Sequence, residues 1–319
     1  MAVVKEKKAE KQFEQMEPKV GKSISNKENY IAIIKKAEEL DPLNTSLALS
    51  EFNRKTKNLK LTADLATVLL EHQKNPNTLR GYSETILRLN KENAEDFIKT
   101  HEEVLSVLKK EHGIENFGRH PWKVLKQMYE DIDKKPEKPL ALLIFANFDN
   151  NGVFYRSAKV VEELSKHYEV KITEVKTDKE MEEQIKKISG KYGKADFVMI
   201  TGHGQSDRIK LSDIESRDPV AGFFDIGDIN VINAIASATN KNAKVFLNSC
   251  STAEGGTQSI ASAIHKTAGV EVHAPPEPAR IDSIKFELNK EGIVVNVNYL
   301  KEEGEPVKEI IYKKTSNTL

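Results

Sequence analysis

Two apolar runs decide the fold of this chain, Phe197-Val-Met-Ile-Thr-Gly-His203-Gly204 and Val245-Phe-Leu-Asn-Ser-Cys250. Each run starts with consecutive apolar residues, Phe197–Ile200 and Val245–Leu247, as expected of strands that are buried on both faces, which is typical of parallel sheets. A reactive side chain follows each strand, an imidazole after the first and a thiol after the second. Because parallel strands present their carboxyl ends at one edge of a sheet, we predict that His203 and Cys250 lie close together at that edge.

The sequence on either side of these runs alternates strands with short helices. Leu140–Asn147 is another continuous apolar run, and helical spacing of apolar residues separates it from the later strands. This alternation predicts an α/β fold with a mostly parallel sheet flanked by helices. Residues 284–312 differ, because apolar and polar residues alternate there and Gly292 and Gly304 are placed for turns. That pattern predicts antiparallel strands.

The first part of the chain has a different pattern. Residues 1–22 are rich in Lys and Glu, which favours a flexible tail. Residues 23–135 carry apolar side chains at helical spacing between polar turns and contain no strand pattern. Lys134–Pro139 is polar and interrupted by prolines, as linkers often are. We therefore predict a tail over 1–22, an all-α accessory or regulatory domain over 23–135, and an α/β domain over 136–319.

The composition restricts the partners and the location of the protein. The 49 basic and 49 acidic residues balance, so no global positive field favours nucleic acid. No run approaches the roughly 18 apolar residues that cross a bilayer, so we expect no membrane span. The start of the chain lacks the apolar core of a Sec signal, and a single cysteine suits a reducing compartment. These features predict a cytoplasmic protein, although a bacterial effector exported without a Sec signal would share them.

The two residue types at the predicted sheet edge are those of a cysteine nucleophile and its base. A thiol attacks a carbonyl as the thiolate, and a neighbouring imidazole takes the proton or pairs with the anion. Gly204 allows a close approach of backbone to substrate. The backbone N–H groups of Gly204 and Cys250 are therefore the predicted oxyanion hole.

The two motifs resemble those of the caspase-like (clan CD) cysteine peptidases. The residues that carry the resemblance are Thr201-Gly202-His203-Gly204 and Asn248-Ser249-Cys250, with 47 positions from His203 to Cys250 against roughly 50 in caspases. The second motif is nearer to the gingipain-type and CHAT relatives and to the autoprocessing domains of toxins than to caspases, since Gln-Ala-Cys-x-Gly is absent. The resemblance covers about residues 138–319. It implies a caspase-like fold and a cysteine endopeptidase that forms a thioester with a protein or peptide substrate, sometimes its own chain, without a cofactor.

The resemblance leaves the specificity open. Relatives that cleave after Arg or Lys often carry a carboxylate two residues before the cysteine, where this chain has the neutral Asn248. Asp149 is an alternative carboxylate for a basic substrate residue, and Arg156 or Arg280 would instead favour an acidic one. The loop over 205–227 and the segment over 274–280 are expected to wall the cleft, because both leave strand ends.

Two other functions compete with this prediction. One is a caspase-like scaffold without activity, and the other is a protein-binding module that works through the helical half. The chain has no His-Glu-x-x-His motif and no paired cysteines, so no metal site is predicted. If the protein is a peptidase, a regulatory protein or a small ligand are the candidate activators. Three prolines within 274–280 favour a preformed wall, so we predict activity without a chain cut.

Overall fold

The computed structural model describes residue 41 and residues 44–149, 152–213, 222–301 and 304–313. The chain divides into two compact units, Met1–Glu102 and Glu103–Leu319. The tail predicted for residues 1–22 lies outside the described residues.

The first unit is helical in its described part. Its helices are α1 (Asn44–Thr56), α2 (Leu59–Glu71), α3 (Pro76–Arg88) and the start of α4 (Lys91–His112), which continues into the second unit. Asparagines set two helix starts, since the side chain of Asn58 accepts from the Leu61 N–H and that of Asn75 accepts from the Thr78 N–H. Apolar side chains at helical spacing form the core, among them Leu49, Phe52, Leu65, Leu69, Ile86 and Phe97.

The second unit is built on a six-stranded sheet. Its five parallel strands are β1 (Leu140–Ala146), β2 (Glu169–Val175), β3 (Ala195–Thr201), β7 (Thr239–Asn248) and β8 (Glu271–Ala274). A short strand, β12 (Ile310–Tyr312), pairs antiparallel with β8. The order across the sheet is β12-β8-β7-β3-β1-β2, so β3 and β7 are central neighbours and β2 is an outer strand.

Helices and a second sheet cover the two faces of the main sheet. On one face, α7 (Asp178–Tyr192), α8 (Ile229–Ala238) and α9 (Ile260–Ala268) share a continuous apolar core with the sheet. On the other, α5 (Trp122–Glu130) and α6 (Ala158–His167) contact β2. The coarse prediction of an α/β fold with a mostly parallel sheet between helices is confirmed.

Two small antiparallel sheets complete the second unit. The first contains β9 (Arg280–Leu288), β10 (Val294–Leu300) and β11 (Pro306–Val307), and β9 brings its Phe286 ring against Phe197 of β3. The second contains β4 (His203–Gly204), β5 (Arg208–Lys210) and β6 (Phe223–Asp225). The antiparallel pattern predicted for 284–312 is therefore found, and its last strand joins the main sheet. The predicted wall loop over 205–227 holds β5 and β6 instead of being wholly irregular.

The boundary between the units differs from the predicted linker at 134–139. It falls inside α4, and residues 103–135 belong to the unit that contains the sheet. The reason is a buried carboxylate on β2, Glu174, which accepts hydrogen bonds from the backbone N–H groups of Glu115 and Asn116. The helical spacing of its apolar residues predicted that this segment belongs to the helical domain. Its packing, however, ties it to the sheet.

Helices long and apolar enough to cross a bilayer are not found in the described ranges.

Candidate active site

The carboxyl ends of β3 and β7 bring the two predicted catalytic residues to the same edge of the sheet. The strands are parallel neighbours, and Thr201 of β3 lies opposite Asn248 of β7. His203 follows two residues after Thr201, and Cys250 two residues after Asn248. Their side chains are partly accessible, His203 with 30% of its side chain exposed. The strand register thus accounts for the common location of the imidazole and the thiol.

Glycines allow the two strand ends to pack tightly. A Cβ on Gly204 would lie 2.4 Å from the carbonyl oxygen of Cys250 and 2.8 Å from the Cβ of Ser249, so the backbones touch there. The Gly202 N–H also donates to the Ser249 hydroxyl over 3.1 Å. These contacts fix Gly204, the residue after His203, against the backbone of Cys250.

His203 is held between two aromatic rings and faces a carboxylate. The rings of Phe148 and Phe154 lie 6.0 and 5.2 Å from the imidazole, centroid to centroid. The Nε2 atom of His203 is 3.8 Å from Oδ1 of Asp149, which is ion-pair distance but too long for a hydrogen bond. The aromatic rings limit the rotation of the imidazole, and Asp149 supplies a negative charge beside it.

Asp149 is itself fixed and ionised. Its carboxylate accepts from the backbone N–H groups of Val153 and Phe154 over 3.1 and 3.0 Å. Burial opposes the charge, but contact with His203, the positive charge of Arg119 and the Phe154 N–H outweigh it and hold the pKa of Asp149 below its usual range. A buried carboxylate in this state can orient a neighbouring imidazole.

The Cys250 loop is fastened to the proline-containing segment over 274–280. The thiol of Cys250 donates to the Ala279 carbonyl over 3.5 Å. The N–H of Ser251 donates to the Glu277 carbonyl over 3.2 Å, and Ser251 has a positive φ of 55°, which is uncommon for a residue with a side chain. This segment therefore lies against Cys250, as a cleft wall beside that residue must. Activity without a chain cut stays a prediction.

The other predicted site residues differ in their surroundings. Asn248 is 1% exposed, and its side chain donates to the Thr201 hydroxyl over 3.4 Å. It therefore lies inside the sheet layer instead of at the surface. Arg156 is exposed in the 3₁₀ turn Val153–Ser157, and Arg280 is half-buried at the start of β9. Both arginines lie in segments adjacent to the site, and their role in specificity stays a prediction.

Sequence reasoning did not identify Arg119 as a site residue. Its guanidinium donates to the carbonyls of Ala146 and Asn147, at the end of β1, over 2.9 Å each. It also lies over the ring of Phe154, with 5.5 Å from its Cζ atom to the ring centroid. Arg119 therefore braces both the strand end that leads to Asp149 and the ring that contacts His203. No local motif marks this function, because the partners are about 30 residues away.

The packing at Gly204 gives the first prediction. Gly204→Ala is expected to displace the Cys250 backbone, to destabilise the protein by about 1–3 kcal/mol and to remove any activity that depends on Cys250. Gly190→Ala is the matched control, because a Cβ there meets no atom within 4 Å and alanine favours its helix. Chemical denaturation of both variants measures the difference. Equal free energies of unfolding for Gly204→Ala and Gly190→Ala would contradict the close contact between Gly204 and Cys250.

Comparison of the chain with protein-family models gives no match, and comparison with curated proteins gives none either.

Proposed function

We propose that this protein is a cysteine peptidase of the caspase-like type, with His203 and Cys250 as its catalytic pair. The observation that carries the proposal is the meeting of two strand ends at one sheet edge, with Gly204 packed on the backbone of Cys250. A nucleophile, a base and an orienting carboxylate are the parts that acyl transfer requires. All three are present within this edge.

In the proposed reaction His203 accepts the proton of the Cys250 thiol, and the sulfur attacks the carbonyl carbon of a peptide bond. The tetrahedral intermediate collapses to a thioester, and His203 returns the proton to the leaving amine. Water then attacks the thioester with His203 as the base, which releases the acid and restores the thiol. No cofactor enters this sequence.

The oxyanion of the intermediate is assigned to the backbone N–H groups of Gly204 and Cys250. In the described part of the chain no backbone carbonyl accepts from the Cys250 N–H. This group is thus available to a substrate oxygen. Donors that are fixed before the reaction stabilise the developing charge without reorganisation. The close packing of Gly204 on Cys250 supports such fixed positions.

Asp149 is assigned as the positioning residue for His203. Its position after the first strand predicted a substrate-binding carboxylate, but its side chain is fully buried and lies beside the imidazole. A carboxylate there favours one orientation of the ring and stabilises the imidazolium that forms during the reaction. With Asp149 in this role, other groups must recognise the substrate residue before the cleaved bond.

The test is covalent labelling of the native protein with peptides that carry an electrophile at the carboxyl end. Cys250 is the only cysteine of the chain, so every thioether formed reports on it. We expect labelling to depend on the peptide sequence and to be lost after denaturation. The denatured thiol should still react with iodoacetamide. A labelling rate that does not depend on the peptide sequence and equals the rate of the denatured protein would support the alternative of a caspase-like scaffold without activity.

The position of Asp149 gives the second prediction. Asp149→Asn keeps the volume and one acceptor oxygen, so one of the backbone N–H groups of Val153 and Phe154 loses its partner, and it removes the charge beside His203. We expect kcat to fall roughly 10–100-fold with KM nearly unchanged, because orientation of the base acts on the chemical step. Steady-state kinetics with the best peptide from the labelling experiment measure this. A change in KM alone would instead assign Asp149 to substrate binding.

A further inference from the structure

The helical unit contains a cluster of histidines that the proposed peptidase site does not use. His72 follows the end of α2, and His101 lies on α4. The ring of Tyr82 stacks on His72 at 4.4 Å, and the ring of Phe97 stacks on His101 at 5.0 Å, centroid to centroid. The two imidazoles meet edge to face at 5.8 Å. These aromatic contacts fix both imidazole rings before any ligand binds.

Each imidazole has one nitrogen atom without a hydrogen-bond partner among the described residues. The Nε2 atoms of His72 and His101 are inaccessible to solvent and accept or donate no hydrogen bond. His101 as a whole is 5% exposed. An unpaired buried polar atom costs about 1–3 kcal/mol, so two of them side by side point to a ligand between them.

The hydrogen bonding of His101 fixes its tautomer. Its Nδ1 atom lies 2.9 Å from the Phe97 carbonyl oxygen, which can only accept. Nδ1 therefore carries the proton, and Nε2 presents a lone pair to the cluster. Metal-binding histidines commonly donate their other N–H to a carbonyl in this way.

A carboxylate completes the group. Oε1 of Glu102 lies 4.0 Å from Nε2 of His72, and one donor atom from each of His72, His101 and Glu102 falls within 4.8 Å of the others. Donors around a four-coordinate zinc are about 3.3 Å apart, given bonds of about 2.0–2.2 Å. Shortening the distances between the donor atoms by up to about 1.5 Å would therefore close the group around an ion. Glu102 has 74% of its side chain exposed, so it can turn inward and leaves a path for an ion.

We propose that His72, His101 and Glu102 bind one Zn²⁺ ion, with water as the fourth ligand. Two imidazoles and one carboxylate favour zinc over magnesium or calcium, which prefer oxygen ligands. Sequence motifs predicted no metal site, because these residues fit no short motif: 29 positions separate His72 from His101. Within this unit the ion links the end of α2 to α4 and stabilises the helical packing. The proposal does not depend on the peptidase assignment.

The experiment titrates Zn²⁺ into the full chain after removal of metal with EDTA, against a chromophoric chelator of known affinity. All proteins carry Cys250→Ala, which removes the only thiol. The variants are Glu102→Gln, which changes an exposed side chain, and His101→Phe, which keeps an aromatic ring. Glu95→Gln, two turns earlier on α4 and exposed, is the matched control.

We expect one Zn²⁺ per chain, an affinity at least about tenfold weaker in Glu102→Gln, and loss of binding in His101→Phe. Glu95→Gln should bind as the parent does. Zinc should also raise the Tm of the parent but not of His101→Phe. Zinc binding by Glu102→Gln and His101→Phe with the affinity of the parent would overturn the proposal. Absence of stoichiometric zinc binding by the parent would also overturn it. If His101→Phe fails to fold, Glu102→Gln decides.

Discussion

Cys250→Ala is expected to abolish peptide hydrolysis, lowering kcat by about 10⁴-fold or more, because no other group can form the thioester. His203→Ala should have a comparable effect, since the thiol then lacks its base. The residues act as a unit, so the double variant should be no less active than either single one. Turnover of a fluorogenic peptide pool measures the three proteins against the wild type.

Measuring the folding of Cys250→Ala shows whether activity is lost because the thiol is missing or because the protein is unfolded. Cys250 is half-buried and its thiol makes one weak contact, to the Ala279 carbonyl, so alanine should leave the far-UV circular dichroism and the Tm almost unchanged. Wild-type turnover by a well-folded Cys250→Ala protein would refute the catalytic assignment.

Glu174→Gln is expected to cause the largest loss of stability, about 3 kcal/mol at pH 7. Glu174 is fully buried on β2, and its Oε1 atom lies 3.1 Å from Nε2 of His120. Its Oε2 atom accepts from the backbone N–H groups of Glu115 and Asn116. Glutamine keeps the volume but removes the charge that these donors stabilise. Buried groups that lose a charged partner are strongly destabilised.

The pH dependence of this effect follows from the pKa. Burial raises the pKa of Glu174, but hydrogen bonding by His120 and the charge of Arg119 outweigh burial and lower it to about 2. A depressed carboxylate pKa contributes stability that is complete above the unfolded pKa, near 4.5, and is lost as the pH falls toward 2. A difference of about 2.5 units corresponds to roughly 3 kcal/mol. The difference in the free energy of unfolding between wild type and Glu174→Gln should therefore decrease as the pH falls from 4.5 to 2.

Urea denaturation at pH 7 and at pH 3 measures both proteins. Glu183→Gln is the matched control, because Glu183 is exposed and pairs only loosely with Lys179, at 3.9 Å. Its substitution should change the free energy of unfolding by less than about 1 kcal/mol at either pH. A Glu174→Gln protein as stable as this control would contradict the role assigned to the carboxylate.

Local patterns were sufficient to predict the sheet and its chemical edge. Leu140–Ala146 of β1, Phe197–Ile200 of β3 and Val245–Leu247 of β7 are apolar and buried, since a strand covered on both faces has no polar side there. Parallel pairing then brings the residues after two neighbouring strands together. The common location of His203 and Cys250 could thus be predicted from strand order alone.

Contacts between residues far apart in the sequence could not be predicted from such local patterns. Strand β2 carries Lys171, Thr173 and Glu174, a composition typical of a solvated strand, yet all three are buried. The partners that permit burial, such as the His112 carbonyl that accepts from Thr173, lie about 60 positions earlier. The place of Asn248 depends on strand alternation, which turns its side chain toward Thr201 and away from the surface. The position of Asn248 two residues before Cys250 does not by itself indicate that its side chain points away from the surface.

The segment before β1 also crosses the edge of the sheet. Thr173 and Glu174 are consecutive, so their side chains point to opposite faces of β2. Thr173 donates to the His112 carbonyl, and Glu174 binds the backbone of Glu115 and Asn116. A segment that reaches both faces must wrap around the outermost strand. It lies against the outer edge of β2 at Glu174, since a Cβ on Gly113 would be 2.6 Å from the Glu174 carbonyl oxygen. We infer that it shields backbone groups there that could otherwise pair with another molecule.

A chain shortened to residues 136–319 would lose that shield. It would expose the edge of β2 together with the side chains of Lys171 and Glu174, stripped of their partners at Asp131 and Asn116. We expect such a fragment to self-associate through edge-to-edge strand pairing. The unit that contains the sheet is therefore expected to avoid this self-association only when it retains the residues from Glu103 onward.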